Sequence, residues 1–467
     1  MTAAVRRTLR HRHHDRRGMS YARALTLLSA LAFLLFELLT SFQTSGFSGY
    51  NDLTFFSETK RPDSQRDQRM VFLEEELYSR KHKARSVEPL GGPCPYCERE
   101  PFDYIRDVEK PYYEECTLMA DWQSAYYPTC LALHELNIAG NDDDFALVSL
   151  HGNWRSVWKY QHNNETVAVK LLQLSHDFDH ESLNYHRIDS MVMERLTSSP
   201  YIVNVFQFCG ESAITEWATG SARDYVKDER WRSRERLKLG LDLARALLAL
   251  HSIDYPNSTN ATLAHNDINM ANAIEVNGKI KLNDFNIAQL LRWNKTKPCG
   301  IPVRFQAPFW KSPEENAQDH SEEVSYVDAT KTDVYGLGNL LFQVLTKRQP
   351  WTHLEPNGML TAEEVKFKKE QGKLNVVVCM VGLSFDAATF SYHRPLGILP
   401  SMPEKYSNST KPANQALYYA TVACFRFHPE DRPSAYQLVR GLEQALEWVQ
   451  AEHRIKPEAF EALFAVS

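Results

Sequence analysis

The sequence predicts an α+β, bilobal domain, a small β-rich lobe followed by a larger helical lobe, with a transmembrane helix ahead of it. Three observations predict this. From about Asp142, "DFALVSLHGNWRSVWKYQHNNETVAVKLLQL" alternates apolar and polar residues around a polar "QHNNE" turn, as a three-stranded meander does. Beyond Asp224 apolar residues recur at helical spacing, beginning with "RLKLGLDLARALLALH". Residues 24–42, "ALTLLSALAFLLFELLTSF", form an apolar run in which Glu37 is the one charged residue.

That run is just long enough to cross a hydrocarbon core of about 30 Å, and Glu37 near its end can reach the interface. Before it stand Arg6, Arg7, Arg10, Arg12, Arg16, Arg17 and Arg23 against one acid, Asp15. The arginine excess predicts a cytoplasmic N-terminus, hence a single-pass type II membrane protein with the rest of the chain in the secretory lumen or at the cell surface. A cleaved signal peptide and an organellar transit sequence are the alternatives. No clear small-x-small cleavage site follows the run, and a transit peptide does not need so apolar a segment.

The boundaries expected are a basic tail at 1–23, an anchor at 24–42, a stalk with a cysteine-containing segment at 43–142, the domain at 143–450 and a tail at 451–467. The stalk is polar, mixed in charge and broken by "PLGGPCPYC", with one helix expected around Met70 to Arg80. No internal repeat or low-complexity tract occurs. With 467 residues, 43% of them hydrophobic, the chain can hold a large core. A net charge of -6 gives no electrostatic reason to expect a nucleic-acid partner.

Cys94, Cys97, Cys116 and Cys130 cluster ahead of the domain among 8 cysteines in all, a pattern that fits an oxidising compartment. Cys116 and Cys130 bracket a loop short enough to close as a disulfide. The alternative is two unrelated thiols. A zinc site at "CPYC" would need a second CxxC or HxxxH, and none completes it. Glycosylation acceptor patterns occur at Asn164, Asn257, Asn260, Asn294 and Asn408, against about three expected by chance.

Between residues 181 and 216 the pattern reads as a helix, Glu181 to Leu196, and then strands at "IVNVFQFCG" and "SAITEWA". Into this framework fall motifs that chemistry explains. Transfer of a phosphoryl group requires positioning and neutralisation of developing negative charge. A lysine, two oxygen ligands for a divalent cation and a carboxylate near the acceptor hydroxyl meet that need. Lys170 of "VAVK", Asp267 and Asn272 of "HNDINMAN", and Asp284 of "DFN" supply those types. The stretch from Asp267 to Asp284 holds a loop, a short strand pair through "EVNGKIKL" and a turn, so both carboxylates can face one cleft.

In their order these motifs resemble the eukaryotic protein kinases, over residues 143 to 447. The resemblance implies ATP and Mg2+ or Mn2+ as cofactors. It implies that Gly152, Val157 and Ala168 cover the nucleotide, that Lys170 binds its phosphates, and that Thr215 is the gatekeeper beside hinge residues Glu216, Trp217 and Ala218. Asp267 would be the base, with Asn272 and Asp284 as metal ligands. Glu314 of "SPEE" would pair with Arg432 of "HPEDRPSA", and Asp333 of "DVYGLG" would support the catalytic loop from below. The acceptor implied is a serine or threonine of a protein substrate, because the loop lacks the alanine–arginine pattern of tyrosine kinases.

Several residues depart from that pattern. "LHGNWRSVW" keeps only Gly152 of three expected glycines, with Trp154 and Arg155 at its tip. Asp189 stands where a helix should present a glutamate to Lys170, with Met193 and Leu196 on the same face and Glu181 and Glu194 as other partners. Asn266 replaces an arginine that reads activation-segment phosphate. Asn269 replaces a lysine that steadies the transferring group, which removes positive charge where negative charge develops. Arg304, Lys297 and Arg155 are candidate substitutes. Asn286 replaces a glycine and tolerates left-handed backbone better than most residues.

Two other functions stay open at this point: a pseudokinase scaffold that binds ATP or nothing, and a kinase of glycans or small molecules. Trp293, Phe309 and Trp310 in "WNKTKPCGIPVRFQAPFWKSPEE" are either core packing or a sugar platform. His265 is expected to pack beneath the catalytic loop. His176 and His180 in "SHDFDHE" read as a solvated loop ahead of the helix, with a metal site as the alternative. Cys209 and Cys424 are expected to be buried thiols, and Cys299 is a candidate partner for Cys379.

Overall fold

Two short elements come first in the described chain: helix α1 (Lys110–Glu115) and strand β1 (Thr117–Leu118). The computed structural model describes residues 110–124, 145–150, 154–162, 164–173, 175–176, 180–197, 199–228, 231–254, 261–303, 307–316, 326–352, 359–369, 399–451 and 455–466. All of these belong to one compact unit. The apolar run 24–42, the expected helix near Met70, Gly152, Cys130, Asn257 and Asn260 lie outside them. Among the described residues no helix is long and apolar enough to cross a membrane.

The alternating stretch folds as strands β2 (Phe145–Ser149), β3 (Arg155–His162) and β4 (Glu165–Leu172). Asn164 turns the β3–β4 hairpin with φ of +66°, a left-handed conformation that asparagine accepts. Helix α2 (His180–Arg195) follows, then β5 (Val205–Cys209) and β6 (Ser212–Glu216). The five strands form one antiparallel sheet in the order β2-β3-β4-β6-β5. Tyr160, Val169 and Ile214 fill one small core, while Val192 and Met193 of α2 reach into the main core below.

After strand β7 (Gly220–Ser221) and helix α3 (Ala222–Lys227), α4 (Ser233–His251) starts the helical lobe. Its Leu237, Leu241, Ala244 and Leu247 recur on one face and are buried. β8 (Leu263–Ala264) leads to a hairpin, β9 (Ala273–Val276) and β10 (Lys279–Leu282), turned by Asn277 and Gly278 at positive φ. Next come β11 (Gln289–Leu290), β12 (Arg292–Asn294), β13 (Lys297–Pro298) and β14 (Ile301–Pro302), and then α5 (Pro313–Asn316) and β15 (Tyr326–Val327).

Helix α6 (Ala329–Thr346), capped by Asp328, is buried nearly all round, so it is the central core helix of the lobe. Helices α7 (Glu404–Ser407), α8 (Pro412–Cys424), α9 (Ala435–Gln450) and α10 (Pro457–Ala462) complete it. A Cβ on Gly336 would stand 2.8 Å from Cβ of Ile268, so this glycine lets α6 press directly against the loop that carries Asp267. The end of the chain is not a loose tail as far as it is described: Phe460 and Phe464 are buried in the core, and Phe464 covers Gly441 of α9.

Candidate active site

Asp333 organises the catalytic loop. From α6 its Oδ2 accepts the His265 N–H at 2.7 Å and its Oδ1 accepts the Asn266 N–H at 2.8 Å, while His251 Nε2 lies 3.0 Å from Oδ2. Asn266 takes φ of +63° there, a conformation that residue type tolerates. His265 is buried and its ring centroid lies 5.0 Å from that of Phe285. Asp267 comes next, and Asn272 Nδ2 donates to both its backbone O and its Oδ2, each at 2.9 Å. Asn269 turns back into its own loop: its Oδ1 accepts from Ala271 N–H at 2.8 Å and from Asn272 N–H at 3.2 Å. Its exchange for lysine thus stiffens the turn that presents Asn272.

Beyond β10, Asp284 adopts φ of +65°. A non-glycine residue held there costs of order 1–3 kcal/mol, a strain that clusters at functional sites. The left-handed position is therefore Asp284, and Asn286 is not among the positive-φ residues. Phe285 is fully buried and its N–H donates to Asp189 Oδ1 at 2.8 Å. Burial pushes the Asp284 carboxyl up and the charge of Asp189 adds to this, against the pull of Lys170 and Arg155.

Lys170 faces Val157 across the β3–β4 pair and is 8% exposed. Its Nζ donates to Asn283 Oδ1 at 2.9 Å. Burial lowers its pKa, with Asp189 opposing and Arg155 reinforcing the shift. The expected Lys170–Asp189 contact is replaced: Asp189 forms its ion pair with Arg155, and Arg155 Nη2 also donates to Asn286 Oδ1 at 3.0 Å. Aspartate is a methylene shorter than glutamate, whereas arginine is long enough to close the gap. Met193, one turn on, is fully buried as its spacing predicts, and Leu196 packs partly buried against the same core.

The oxygen donors suit a hard divalent cation. Asn272 has its amide nitrogen bonded to Asp267, which leaves Oδ1 as the end to offer, and Asp284 supplies a carboxylate whose charge the fold disfavours until a cation compensates it. Magnesium is commonly held by one or two such protein groups plus phosphate oxygens and water. Among the described residues no group of three or more His, Cys, Asp or Glu is placed to bind a metal.

At the hinge, Thr215 and Ala168 are buried and paired across β6 and β4, beside half-buried Val157. Glu216 directs its carboxylate away to Lys281 Nζ, at 2.6 and 2.9 Å, and to Asn204 N–H at 2.9 Å. Lys159 Nζ lies 5.5 Å over the Trp217 ring.

The activation segment is tied down in a way the sequence did not reveal. Cys116 is disulfide-bonded to Cys299, not to Cys130, and Cys299 is thereby not available to Cys379. β1 pairs with β12, and β12 with β13, so residues ahead of the domain add a strand to this segment. Tyr112 Oη donates to Gly300 O at 2.8 Å, and Arg292 Nη1 donates to Cys116 O at 2.8 Å. Gln123, fully buried, donates to Thr262 O at 2.8 Å, while Arg187 of α2 donates to Gln123 O at 3.3 Å. Residues 110–124, assigned to the stalk, thus touch the activation segment, the base of the catalytic loop and α2. Cys209 is disulfide-bonded to a partner outside the described residues, so it is not a free thiol, whereas Cys424 is free and buried, its pKa pushed up to about 12 by burial.

Lys311 was overlooked. Its Nζ donates to Asn266 O at 2.6 Å and Asn266 Oδ1 at 3.0 Å, and pairs with Glu315 at 3.1 Å, so a cation stands beside the catalytic loop after all. Of the substitutes foreseen, Lys297 is exposed on β13, Arg155 is turned onto Asp189, and Arg304 lies outside the described residues. Phe309 packs against Trp351, Leu360 and Val365, and Trp310 accepts at its backbone O from Asn339, whereas Trp293 is half-buried on β12 opposite Thr117. Glu314 and Arg432 meet as a two-pronged ion pair at 2.6 and 2.8 Å.

Residues 151–441, more than half of the chain, match the family model for the protein kinase domain. Among similar proteins, the serine/threonine-protein kinase CTR1 of Arabidopsis thaliana is 26% identical over 51% of this chain and 29% of its own length. The putative mitogen-activated protein kinase kinase kinase 7-like of Drosophila melanogaster is 26% identical over 46% of this chain and 53% of its own. The mouse serine/threonine-protein kinase tousled-like 2 is 25% identical over 43% of this chain and 30% of its own. The chain thus spans about half or less of these relatives.

Proposed function

Because the chain belongs to the protein kinase family, we propose that it is an active phosphotransferase that moves the γ-phosphoryl group of ATP to a serine or threonine hydroxyl of a protein substrate. The observation that carries this reading is the joining of Asp267 to Asn272 by two hydrogen bonds in a loop fixed to Asp333. A scaffold has no need to hold a carboxylate and an amide oxygen in register. Asp267 accepts the proton of the attacking hydroxyl, and Lys170, held between Asn283 and the field of Asp189, receives the nucleotide phosphates. Asn272 and Asp284 would hold a divalent cation, whose chemistry there would be to neutralise negative charge on the phosphates.

Asn266 cannot read an activation-segment phosphate as an arginine does. The disulfide, the added strand and Lys311 do the ordering instead, so the segment is held ready without a modification. The disulfides also support a domain in an oxidising compartment, the secretory lumen or the outside of the cell, which is the side the type II reading requires. Asn164 and Asn408 are exposed sequons on the described surface, so treatment with an endoglycosidase shifts the expressed protein's mobility if the domain is lumenal.

The deciding test is magnesium-dependent turnover of ATP by the full-length protein, offered both protein and oligosaccharide acceptors, against Asp267→Asn. Loss of the general base lowers turnover by about 100-fold or more. Nucleotide binding with no turnover on any acceptor would instead assign the fold to a pseudokinase, and transfer to sugars alone would replace the protein acceptor with a glycan.

A further inference from the structure

Arg155 stands at the third glycine position of the expected G-x-G-x-x-G-x-V pattern, where a flexible, side-chain-free residue covers phosphates in kinases. Here the side chain points inward. Arg155 is 6% exposed, and its guanidinium is ion-paired with Asp189 of α2 and bonded to Asn286 of the "DFN" turn. Asp189, itself fully buried, uses its other oxygen to accept the Phe285 N–H at 2.8 Å. The neighbouring Trp154 leans on α2 and the segment before it, its ring centroid 5.8 Å from Tyr185 of the helix and 4.9 Å from His176. Three elements, the start of β3, α2 and the Asp284 turn, meet on one guanidinium.

We infer that Arg155 is a positioning residue that clamps α2 and the Asp284 turn into the reactive arrangement, taking over the structural half of the lysine–carboxylate pair and leaving Lys170 to the nucleotide. The inference rests on the kinase reading of the site. Two departures from the family pattern then have one cause. Asn286, in place of glycine, supplies the oxygen that Arg155 Nη2 needs, and Asp189, in place of glutamate, is short enough to admit a guanidinium between itself and β3. Lys170, with no carboxylate of the described residues at ion-pair distance, rests on the neutral Asn283 amide, which a phosphate oxygen can displace without breaking a charge pair.

Stability alone does not account for the arrangement. Arg155 Nη1 is buried with no hydrogen-bond partner among the described residues, an omission that costs free energy and marks a group retained for another purpose. Burial alone would raise the Asp189 carboxyl, yet the charges of Arg155 and Lys170 and the bonds from Arg155 and Phe285 hold it at about 2, so the clamp stays charged throughout the physiological range.

The test compares full-length wild type with Arg155→Met, Arg155→Lys, Asp189→Asn and the Arg155→Met/Asp189→Asn pair. Two readouts are used: magnesium–ATP turnover and amide hydrogen exchange over residues 283–287 and α2. Arg155→Met is expected to lower kcat about 100-fold while the protein keeps its cooperative melt, the scale of loss that a misplaced reacting group causes. It should also raise exchange at the Phe285 amide. Arg155→Lys, with one cationic point in place of a fork, recovers part of both. The double variant should be no worse than the poorer single one, since both remove the same clamp. A folded Arg155→Met with unchanged kcat and exchange overturns the inference, as do single effects that multiply. If the wild type turns nothing over, exchange alone decides: coupling between Arg155 and Phe285 sustains the clamp while the kinase reading falls, and its absence removes both.

Discussion

Asp284→Asn lowers turnover by about 100-fold or more and at the same time raises the thermal midpoint of the nucleotide-free protein. The two effects have one source. In the fold the Asp284 carboxyl is pushed up by burial and by Asp189. A carboxyl with a raised folded value gives stability that is full below its ordinary value and lost as pH rises through the raised one, so above its ordinary value the group costs the empty protein free energy. Asparagine keeps an oxygen and removes the charge. The gain in midpoint is roughly 1–2 °C for each kcal/mol relieved in a domain of about 300 residues. Activity falls by about 100-fold or more, because a preorganised charge at the transferring phosphoryl group is lost. Wild type gains stability from magnesium and ATP together, about 2.7 kcal/mol at a hundredfold excess over Kd, and the variant does not. Calorimetric melts with and without magnesium–ATP check all three. A variant that melts lower when empty would show that Asp284 is a structural group and would remove it from the metal site.

Local features of the chain announced themselves in sequence because local physics produces them. The β2–β3–β4 meander follows from period-2 alternation around a polar turn, and α2 was placed within one residue of its observed ends by helical periodicity. The β9–β10 hairpin turns at Asn277-Gly278, the strongest short-range hairpin signal there is. Asp267, Asn272 and Asp333 were legible for a different reason: "HNDINMAN" and "DVYGLG" resemble motifs of the protein kinases, and that resemblance implied a loop supported from below by Asp333.

What was not legible depends on long-range placement. A disulfide between residues separated by 183 positions leaves no trace in spacing, and eight cysteines admit many pairings, so the compact loop from Cys116 to Cys130 attracted a bond that Cys299 in fact takes. Arg155 read as a residue at a loop tip, with its charge offered to phosphate. Only the position of α2 shows that a buried carboxylate lies within its reach. Lys311 has the same history, since nothing in "FWKSPEE" says that its amine lies against Asn266. Each departure from the family pattern was visible as a loss, and the residue that offsets it lay on another element.

Arg432→Ala is expected to cost about 3–5 kcal/mol, the penalty for removing one partner of a buried ion pair. Against a total stability of about 5–15 kcal/mol this leaves little, so soluble yield falls with the urea midpoint. The side chain is fully buried and none of its nitrogens is idle: Nη1 and Nη2 hold Glu314 at 2.6 and 2.8 Å, Nε donates to Arg426 O at 2.8 Å, and both amines reach main-chain oxygens, of Lys331 and Phe427, at 3.0 Å. The guanidinium carbon also lies 5.1 Å over the Tyr335 ring. Arg432→Lys supplies three donors without the planar fork and recovers only part of the loss. Glu314→Ala leaves the guanidinium buried and unpaired, and the double variant is expected to lose much less than the two singles added together, because each single strands the other's charge. The consequence reaches the active site through α5: Glu314 lies between Lys311, which holds Asn266, and Glu315, which pairs with Lys311. In the fraction that still folds, Arg432→Lys should therefore raise KM for the acceptor while KM for ATP stays near wild type, since Lys170, Thr215 and Asp284, the groups proposed for the nucleotide, are borne by other elements. Equal loss on both KM values would mean that the ion pair supports the whole lobe and does not set the acceptor side in particular.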